Sequence, residues 1–195
     1  MTGPLAQFYE EHSSLAAVLN VMSAMVREVR EHGKRIDPKV FRAILYYLDV
    51  FPEREHHRKE ESVLFPRIRQ RTRDADAILA QLAQEHEAGE NAIRDLEQAF
   101  VRYDERGDAE FAPFAEAVGR YVSHYFEHMR KEEREVIPIA RRVLSAQDWA
   151  EIEVEFAAHR DPLEGVSLET EHDQLFRRIV TLVPAPFGVG PPLDA

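Results

Sequence analysis

The stretches HHRKEE at residues 56–61 and HMRKEE at residues 128–133 decide how this chain folds. In each of them the first histidine is followed four residues later by a glutamate. On an α-helix this spacing puts the imidazole and the carboxylate on one face. Apolar residues at three- and four-residue intervals continue that face, so it is the face that the helix buries. An imidazole and a carboxylate that point inward together are potential metal ligands.

The same periodicity predicts four long helices. Gly33 is expected to cap the end of the first, and Asp37-Pro38 begins the second with an N-cap residue followed by proline in the first turn. We expect Pro52 to kink the second helix and Pro138 to bend or fray the fourth. The predicted helices cover about residues 5–32, 38–70, 74–104 and 110–144.

Only a few residues connect these helices, so consecutive helices must run antiparallel. The sequence therefore predicts an all-α fold in which residues 1–145 form an up-down-up-down four-helix bundle. Residues 146–195 are predicted to be a short C-terminal helical extension with a proline-rich tail. The extension would pack on the bundle or, in a homodimer, on a second copy of the chain.

Two helical segments are predicted inside the extension. Ser145 to Asp148 has the pattern of an N-cap for a fifth helix, which Asp161-Pro162 would end. The apolar residues of this helix are Trp149, Ile152 and Phe156. A sixth segment is expected at about residues 167–183, with Leu168, Leu175, Phe176 and Ile179 as its apolar residues.

Composition excludes several kinds of function. The formal net charge of -11, with acidic and basic residues interleaved, argues against nucleic acid or an anionic membrane as a main partner. A basic apolar leader is absent, as is any apolar run near the ~20 residues that span a bilayer, so we expect a cytoplasmic protein. The chain has no cysteine, and any metal must therefore be held by nitrogen and oxygen.

Four histidines occupy inward positions of the four predicted helices. His12 and His86 interrupt the apolar faces of the first and third helices about 10 and 18 Å from their starts, at 1.5 Å per residue. His56 and His128 each lie about 15 Å before a proline, Pro66 or Pro138, near the end of the second or fourth helix. Antiparallel packing brings these depths together, so six candidate metal ligands meet in one layer: His12, His56, Glu60, His86, His128 and Glu132.

A single histidine on an apolar face is usually a core residue that is hydrogen-bonded. Four histidines at one depth, together with two carboxylates, are different, because burying the two carboxylates without cations is costly. The neighbouring basic residues fall off the inward faces and are expected to point to solvent: Arg58, Lys59, Arg130 and Lys131. The sequence therefore predicts a metal in this layer.

Ligands of this kind suit iron, manganese, zinc or copper. Carboxylates from opposite helices can bridge two ions while histidines cap the ends, which favours a dinuclear centre over a single ion. We expect two iron ions, with zinc or manganese as the alternatives.

The motifs at residues 56–66, H-x-x-x-E-E-x-x-L-F-P, and at residues 128–138, H-x-x-x-E-E-x-x-V-I-P, resemble the hemerythrin-like, or HHE cation-binding, family. The resemblance extends over about residues 5–144 and includes His12 and Glu85-His86. It implies a non-haem di-iron centre in which Glu60 and Glu132 bridge the ions and the four histidines are terminal ligands.

Oxygen-carrying members of that family place a second histidine one turn after the third-helix ligand, where this chain has Glu90. This difference argues against reversible oxygen carriage. Further candidates for the ligand set, several of them as replacements for that histidine, are His57, Glu61, Glu85, Glu90, His124 and His32.

Several functions are compatible with such a site. The first hypothesis is a protein that binds or senses oxygen or nitric oxide, or that handles iron. The alternatives are a di-iron oxidase or peroxide-reducing enzyme and a repair factor for iron centres. Repair-type relatives carry an additional cysteine-containing domain, and the absence of cysteine from this sequence removes one support for the repair function. A ferritin-like site would use E-x-x-H at residues 53–56 and 169–172, but it would leave His12, His86 and His128 unexplained.

Overall fold

The computed structural model describes residues 3–158, 179, 181–184 and 188–190. The first bundle helix, α1, covers Pro4–His32. It ends as predicted at Gly33, whose φ of 62° is left-handed and whose backbone N–H donates to the carbonyls of Glu28 and Val29. Glycine adopts this conformation without the strain that a side chain would bring.

The second bundle helix is continuous but not regular. The side chain of Asp37 accepts a hydrogen bond from the backbone N–H of Lys39 at 2.9 Å, so the predicted N-cap is confirmed. α-Helical and π-helical segments then alternate: α2 Pro38–Leu48, π-helix Asp49–His56, α3 His57–Lys59, π-helix Glu60–Leu64 and α4 Phe65–Arg71.

The third and fourth bundle helices follow with short connections. The third is α5, Asp76–Arg106, and a 3-10 turn at Gly107–Glu110 joins it to α6, Phe111–Lys131. The fourth bundle helix continues from α6 through a π-helical segment, Glu132–Val136, into α7, Ile137–Val143.

Proline explains why the π-helical segments occur where they do. A proline in a helix removes one backbone N–H and collides with the carbonyl four residues earlier. A wider π turn accommodates both effects without breaking the helix. Pro52 lies inside the first π segment, and Pro66 and Pro138 each follow a π segment by two residues. The helix therefore continues through both proline sites by local widening, and the fraying considered at Pro138 does not occur. The kink at Pro52 and the bend at Pro138 stay predictions.

The fifth predicted helix is present as α8, Ala146–Ala158. Ser145 and Asp148 cap its start reciprocally, because each backbone N–H donates to the other residue's side chain. The Asp148 carboxylate also accepts two hydrogen bonds from Arg71 at 2.6 and 2.9 Å, which ties α8 to α4. Ile152 and Phe156 are buried against the bundle.

The four bundle helices form the predicted all-α, antiparallel four-helix bundle. Its interior contains two hydrophobic clusters, of which one includes Phe41 and Phe114 and the other includes Phe8 and Phe65. None of the helices in the described part of the chain is long and apolar enough to cross a membrane.

Some predictions for the extension fall outside the described residues. These are the stop at Asp161-Pro162, the E-x-x-H pattern at residues 169–172 and the apolar residues Leu168, Leu175 and Phe176. Ile179 and Val183 are described, and both are buried in the cluster that contains Phe41. The domain boundary at residue 145 and a homodimer through the extension stay predictions.

Candidate metal centre

The six residues predicted to share one layer do lie together. Each is at most 5% exposed, and each side chain lies on the inward face of its helix. The six residues are His12, His56, Glu60, His86, His128 and Glu132. The four imidazoles form two pairs. The first imidazole pair is His12 and His56, whose Nε2 atoms are 3.2 Å apart, and the second is His86 and His128, whose Nε2 atoms are 3.1 Å apart.

The two glutamates lie between the imidazole pairs. Glu60 has Oε1 3.5 Å from Nε2 of His56 and Oε2 3.4 Å from Nε2 of His86. Glu132 has Oε2 3.2 Å from Nε2 of His12 and Oε1 3.0 Å from Nε2 of His128. Each carboxylate therefore turns one oxygen to each pair.

A second set of glutamates contacts the outer nitrogens of the same imidazoles. Every Nδ1 lies within hydrogen-bond distance of a carboxylate oxygen from another helix: His12 with Glu133 at 2.9 Å, His56 with Glu11 at 2.7 Å, His86 with Glu61 at 2.6 Å and His128 with Glu85 at 3.1 Å. A carboxylate at Nδ1 favours the tautomer with the proton there and leaves the Nε2 lone pair free.

Two lysines neutralise part of this outer set. Lys59 lies 2.9 Å from Glu11, and Lys131 contacts Glu85. The expectation that these lysines point to solvent is wrong, because their ammonium groups bind the carboxylates that the imidazoles use. Arg58 and Arg130 are exposed, as expected.

The charges in this layer shift the pKa of the second imidazole pair, His86 and His128, upward. Burial lowers the pKa of His86, but Glu132 and Glu60 outweigh that effect and raise it to about 10. Burial likewise lowers the pKa of His128, yet Glu132 and Glu85 raise it to about 9. In the metal-free protein, protons on these imidazoles therefore balance the carboxylates.

Two of the carboxylates, Glu132 and Glu11, are affected in the opposite direction. Burial raises the pKa of Glu132, but His128, His12 and His86 outweigh it and hold the pKa well below the usual value. Glu11 behaves similarly: burial raises its pKa, and His56 and Lys59 lower it to about 2. Both groups are carboxylates at neutral pH.

The cluster fits metal ions better than it fits a set of hydrogen bonds. Within the described residues, none of the four oxygens of Glu60 and Glu132 has a hydrogen-bond partner, although all are buried. When the imidazoles are neutral, with the proton of each on Nδ1, the Nε2 lone pairs converge on these oxygens, and such a set of acceptors requires a cation. Two ligands at right angles on one ion about 2.1 Å away are about 3 Å apart, which is the spacing within each imidazole pair.

Two of the additional candidates lie beside the cluster. The ring of His57 stacks on that of His86, with centroids 3.9 Å apart and planes 10° apart. Burial, together with His86 and His128, lowers the pKa of His57 well below its usual value. His124 is half-buried, and its ring is 6.2 Å from that of His128.

The other additional candidates either contact an imidazole of the cluster from outside or lie away from the cluster. Glu61 and Glu85 contact imidazoles at Nδ1 rather than at Nε2. Glu90 is exposed and pairs with Arg94. His32 is exposed at the end of α1, where Glu28 is its neighbour, so it is not part of the cluster.

Sequence reasoning missed three kinds of residue. Glu11 and Glu133 belong to the outer carboxylates, for which the adjacent Glu-His and Glu-Glu pairs were an available signal. Glu53 is buried beside His57, with its Oε2 3.4 Å from Nδ1 of that histidine. Glu53 also accepts hydrogen bonds from the hydroxyls of two buried tyrosines, Tyr121 and Tyr125.

Burial raises the pKa of Glu53 to about 7, in spite of its hydrogen bonds from Tyr125 and Tyr121. A cavity of about 670 Å³ reaches this carboxyl group and His86 from the surface between the second and third bundle helices. Its lining includes Glu53, His57, His86 and Glu90. On the other side a cavity of about 310 Å³ is lined by His12, Phe126, Met129 and Glu133.

The protein is therefore a four-helix bundle that buries carboxylates and imidazoles at its centre, an arrangement suited to binding cations. The family model described as hemerythrin HHE cation binding domain matches residues 3–140, and the chain belongs to this family. No curated protein matches the chain.

Proposed function

We propose that the protein holds two metal ions and that both are iron. We further propose that it binds or senses oxygen or nitric oxide, or handles iron. His12 and His56 would bind one ion, and His86 and His128 the other. Glu60 and Glu132 would bridge the two ions.

The orientation of the two central carboxylates carries this proposal. Glu60 and Glu132 each present one oxygen to the first imidazole pair and one to the second. A single ion would leave half of these oxygens and one imidazole pair without a partner in a buried region, at a cost of several kcal/mol for each charged group. Two ions use all eight ligand atoms.

The formal charge of the layer also supports two divalent ions. The six carboxylates are Glu11, Glu60, Glu61, Glu85, Glu132 and Glu133. Lys59 and Lys131 neutralise two of these charges. Four negative charges remain, and two divalent cations balance them when the imidazoles are neutral.

Iron suits a mixture of imidazole and carboxylate ligands, and when bound it supplies redox chemistry and coordination positions for a small molecule. The chain's own residues prepare that site. The outer carboxylates fix the rotation and tautomer of each imidazole. Phe8 packs on His12 and His56, with ring centroids 4.1 and 5.6 Å away, and places an apolar ring against the first pair.

The test is to load metal-free protein with ferrous iron in the absence of oxygen and to count ions per chain by elemental analysis. We expect two. Oxygen or nitric oxide is then added, and a change in near-ultraviolet absorption is expected. The matched control is zinc-loaded protein, which has no redox chemistry and should not respond to oxygen. Two bound irons with no response to either gas would contradict the sensing function, and fewer than two would contradict the dinuclear site.

A second candidate function is reduction of peroxide. It is favoured by the cavity that leads from the surface to His86, because Glu53 and His57 line the same cavity and offer ionisable groups beside the second imidazole pair. Turnover of hydrogen peroxide by the iron-loaded protein, above the rate of the metal-free protein, would support it. Equal rates would exclude it.

A further inference from the structure

We propose that His57 is a third imidazole ligand of the ion held by the second imidazole pair, so that the two metal positions are not equivalent. The inference rests on the proposed dinuclear site and adds a residue to it.

The position of His57 is the first observation. Its side chain is buried against the second imidazole pair, where its ring centroid is 3.9 Å from that of His86 and 5.3 Å from that of His128. One potential ligand nitrogen from each of these three histidines lies within 4.8 Å of the others. The His57 side chain therefore contacts the second imidazole pair directly, and the proposed bridging glutamates do not lie between them.

The contact of His57 with a carboxylate is the second observation. Each imidazole of the two pairs has a carboxylate at Nδ1, and Glu53 occupies the same place for His57, with Oε2 at 3.4 Å. A carboxylate at the outer nitrogen is a common feature of histidines that bind metals, because it orients the ring and raises its basicity. The pattern thus extends from four imidazoles to five.

Glu53 is itself held in position. The hydroxyls of Tyr121 and Tyr125 donate to its Oε1. α5 approaches it closely at Gly89, where a Cβ atom would lie 3.0 Å from Glu53 Oε2. Two tyrosines thus hold the Glu53 carboxyl group, and the glycine leaves room for it. In this fixed position Glu53 can orient the imidazole of His57.

The absence of other partners is the third observation. In the part of the chain that the structure describes, neither ring nitrogen of His57 has a hydrogen-bond partner, although both are buried. A buried polar group without a partner costs free energy. Binding of Nε2 to an ion removes this cost and strengthens the contact between Nδ1 and Glu53.

The other half of the bundle has no equivalent ligand. The two motifs HHRKEE and HMRKEE align, and Met129 takes the place of His57. Met129 is buried and lines the smaller cavity beside His12. The first imidazole pair therefore has two nitrogens for its ion, whereas the second has three.

The test is a titration of metal-free protein with cobalt(II), followed by its optical spectrum and by calorimetry. Wild-type protein is expected to bind two ions. His57→Ala should weaken one of the two sites by about 10–100-fold and leave the other unchanged. The control is His124→Ala, which removes a half-buried imidazole near His128 that the inference does not assign to the metal, and both sites should then keep their affinity.

Circular dichroism of each metal-free variant establishes whether it is folded. Should His57→Ala not fold, His57→Gln, which keeps more of the side-chain volume, takes its place in the titration. Two ions bound with wild-type affinity by the folded variant would overturn the role of His57 alone. Fewer than two ions in the wild-type protein would instead overturn the dinuclear site on which the inference rests.

Discussion

Glu11 precedes His12 in the sequence, yet its carboxylate lies 2.7 Å from Nδ1 of His56 on the next bundle helix. The same crossing occurs in the other half, where Glu85 precedes His86 and contacts His128. Each of these glutamates therefore links two helices through the imidazole of a neighbour. The outer carboxylates couple metal affinity to the packing of the bundle.

Glu11→Gln should weaken metal binding without abolishing it. The amide can still accept a hydrogen bond from Nδ1 of His56, but it has no charge to raise the basicity of the imidazole or to pair with Lys59. Loss of such a partner reduces metal affinity by about 10–100-fold. Competition with a chromogenic chelator measures this change, and Glu10→Gln, at the exposed neighbouring position, is the control. Equal metal affinities of the two variants would show that the outer carboxylate of Glu11 does not contribute to metal binding.

Glu132→Ala should reduce bound metal and thermal stability together. The substitution removes an oxygen from each proposed ion and leaves His12 and His128 without their central partner. An ion present at 100 times its dissociation constant stabilises the fold by about 2.7 kcal/mol. For a chain of this size, its loss lowers Tm by roughly 5–10 °C.

The comparison for Glu132→Ala is Glu133→Ala, which affects His12 only through Nδ1 and is half-exposed. Elemental analysis and calorimetry should place this variant between Glu132→Ala and the wild type. Wild-type metal content in Glu132→Ala would rule out Glu132 as a ligand. Equal losses in both variants would mean that the two adjacent glutamates have been assigned in the wrong register.

Periodicity was sufficient to predict the bundle and the layer of six residues. Helical repeats of three and four fix which side chains point inward, and the short connections fix the direction of each helix. His12 and His86 lie in regular α-helices, so their inward position follows from the spacing alone. His56 and Glu60 keep the same face because the i, i+4 relation survives at the junction between helical segments.

Glu53 and His57 were harder to predict, for a physical reason. The π-helical segment Asp49–His56 has more residues per turn than an α-helix, and this turns adjacent residues inward together. Pro52 and Glu53 are both buried, as are His56 and His57. A strict α-helical repeat turns His57 about 100° from its neighbour His56, to the edge of the inward face. The orientation of Lys59 was also hard to predict, because the carboxylate that it binds, Glu11, belongs to another helix.

The raised pKa values of the second imidazole pair predict that the stability of the metal-free protein and that of the metal-loaded protein depend differently on pH. Histidines with raised pKa values stabilise the fold fully below their unfolded pKa of ~6.5, and this contribution is lost as the pH rises through the folded values. For His128 and His86 those values are about 9 and about 10. The metal-free protein should therefore lose stability between pH 6.5 and 10.

Metal binding requires neutral imidazoles, so metal affinity rises over the same range of pH. The difference in Tm between metal-loaded and metal-free protein should consequently increase from pH 6.5 to 9. Calorimetry of both forms in matched buffers measures it. A difference that stays constant would show that binding releases no protons from the cluster.

Substitution of two helical glycines tests how tightly Glu53 is held. Gly119 lies in α6 with nothing within 4 Å of a Cβ atom, so Gly119→Ala should stabilise the protein by about 0.5–1 kcal/mol through helix propensity. At Gly89 a Cβ atom would lie 3.0 and 3.1 Å from the two Glu53 oxygens and 3.2 Å from the Tyr125 hydroxyl.

Because Tyr121 and Tyr125 hold the Glu53 carboxyl group, it has little freedom to move away from a methyl group at position 89. Gly89→Ala should therefore destabilise the protein, by about 1–3 kcal/mol as is usual for an overpacked interior. Urea unfolding measures both variants. Displacement of Glu53 should also weaken the site that His57 serves, whereas Gly119→Ala should not change metal affinity. Similar stabilisation by both substitutions would mean that Glu53 moves freely and does not orient His57.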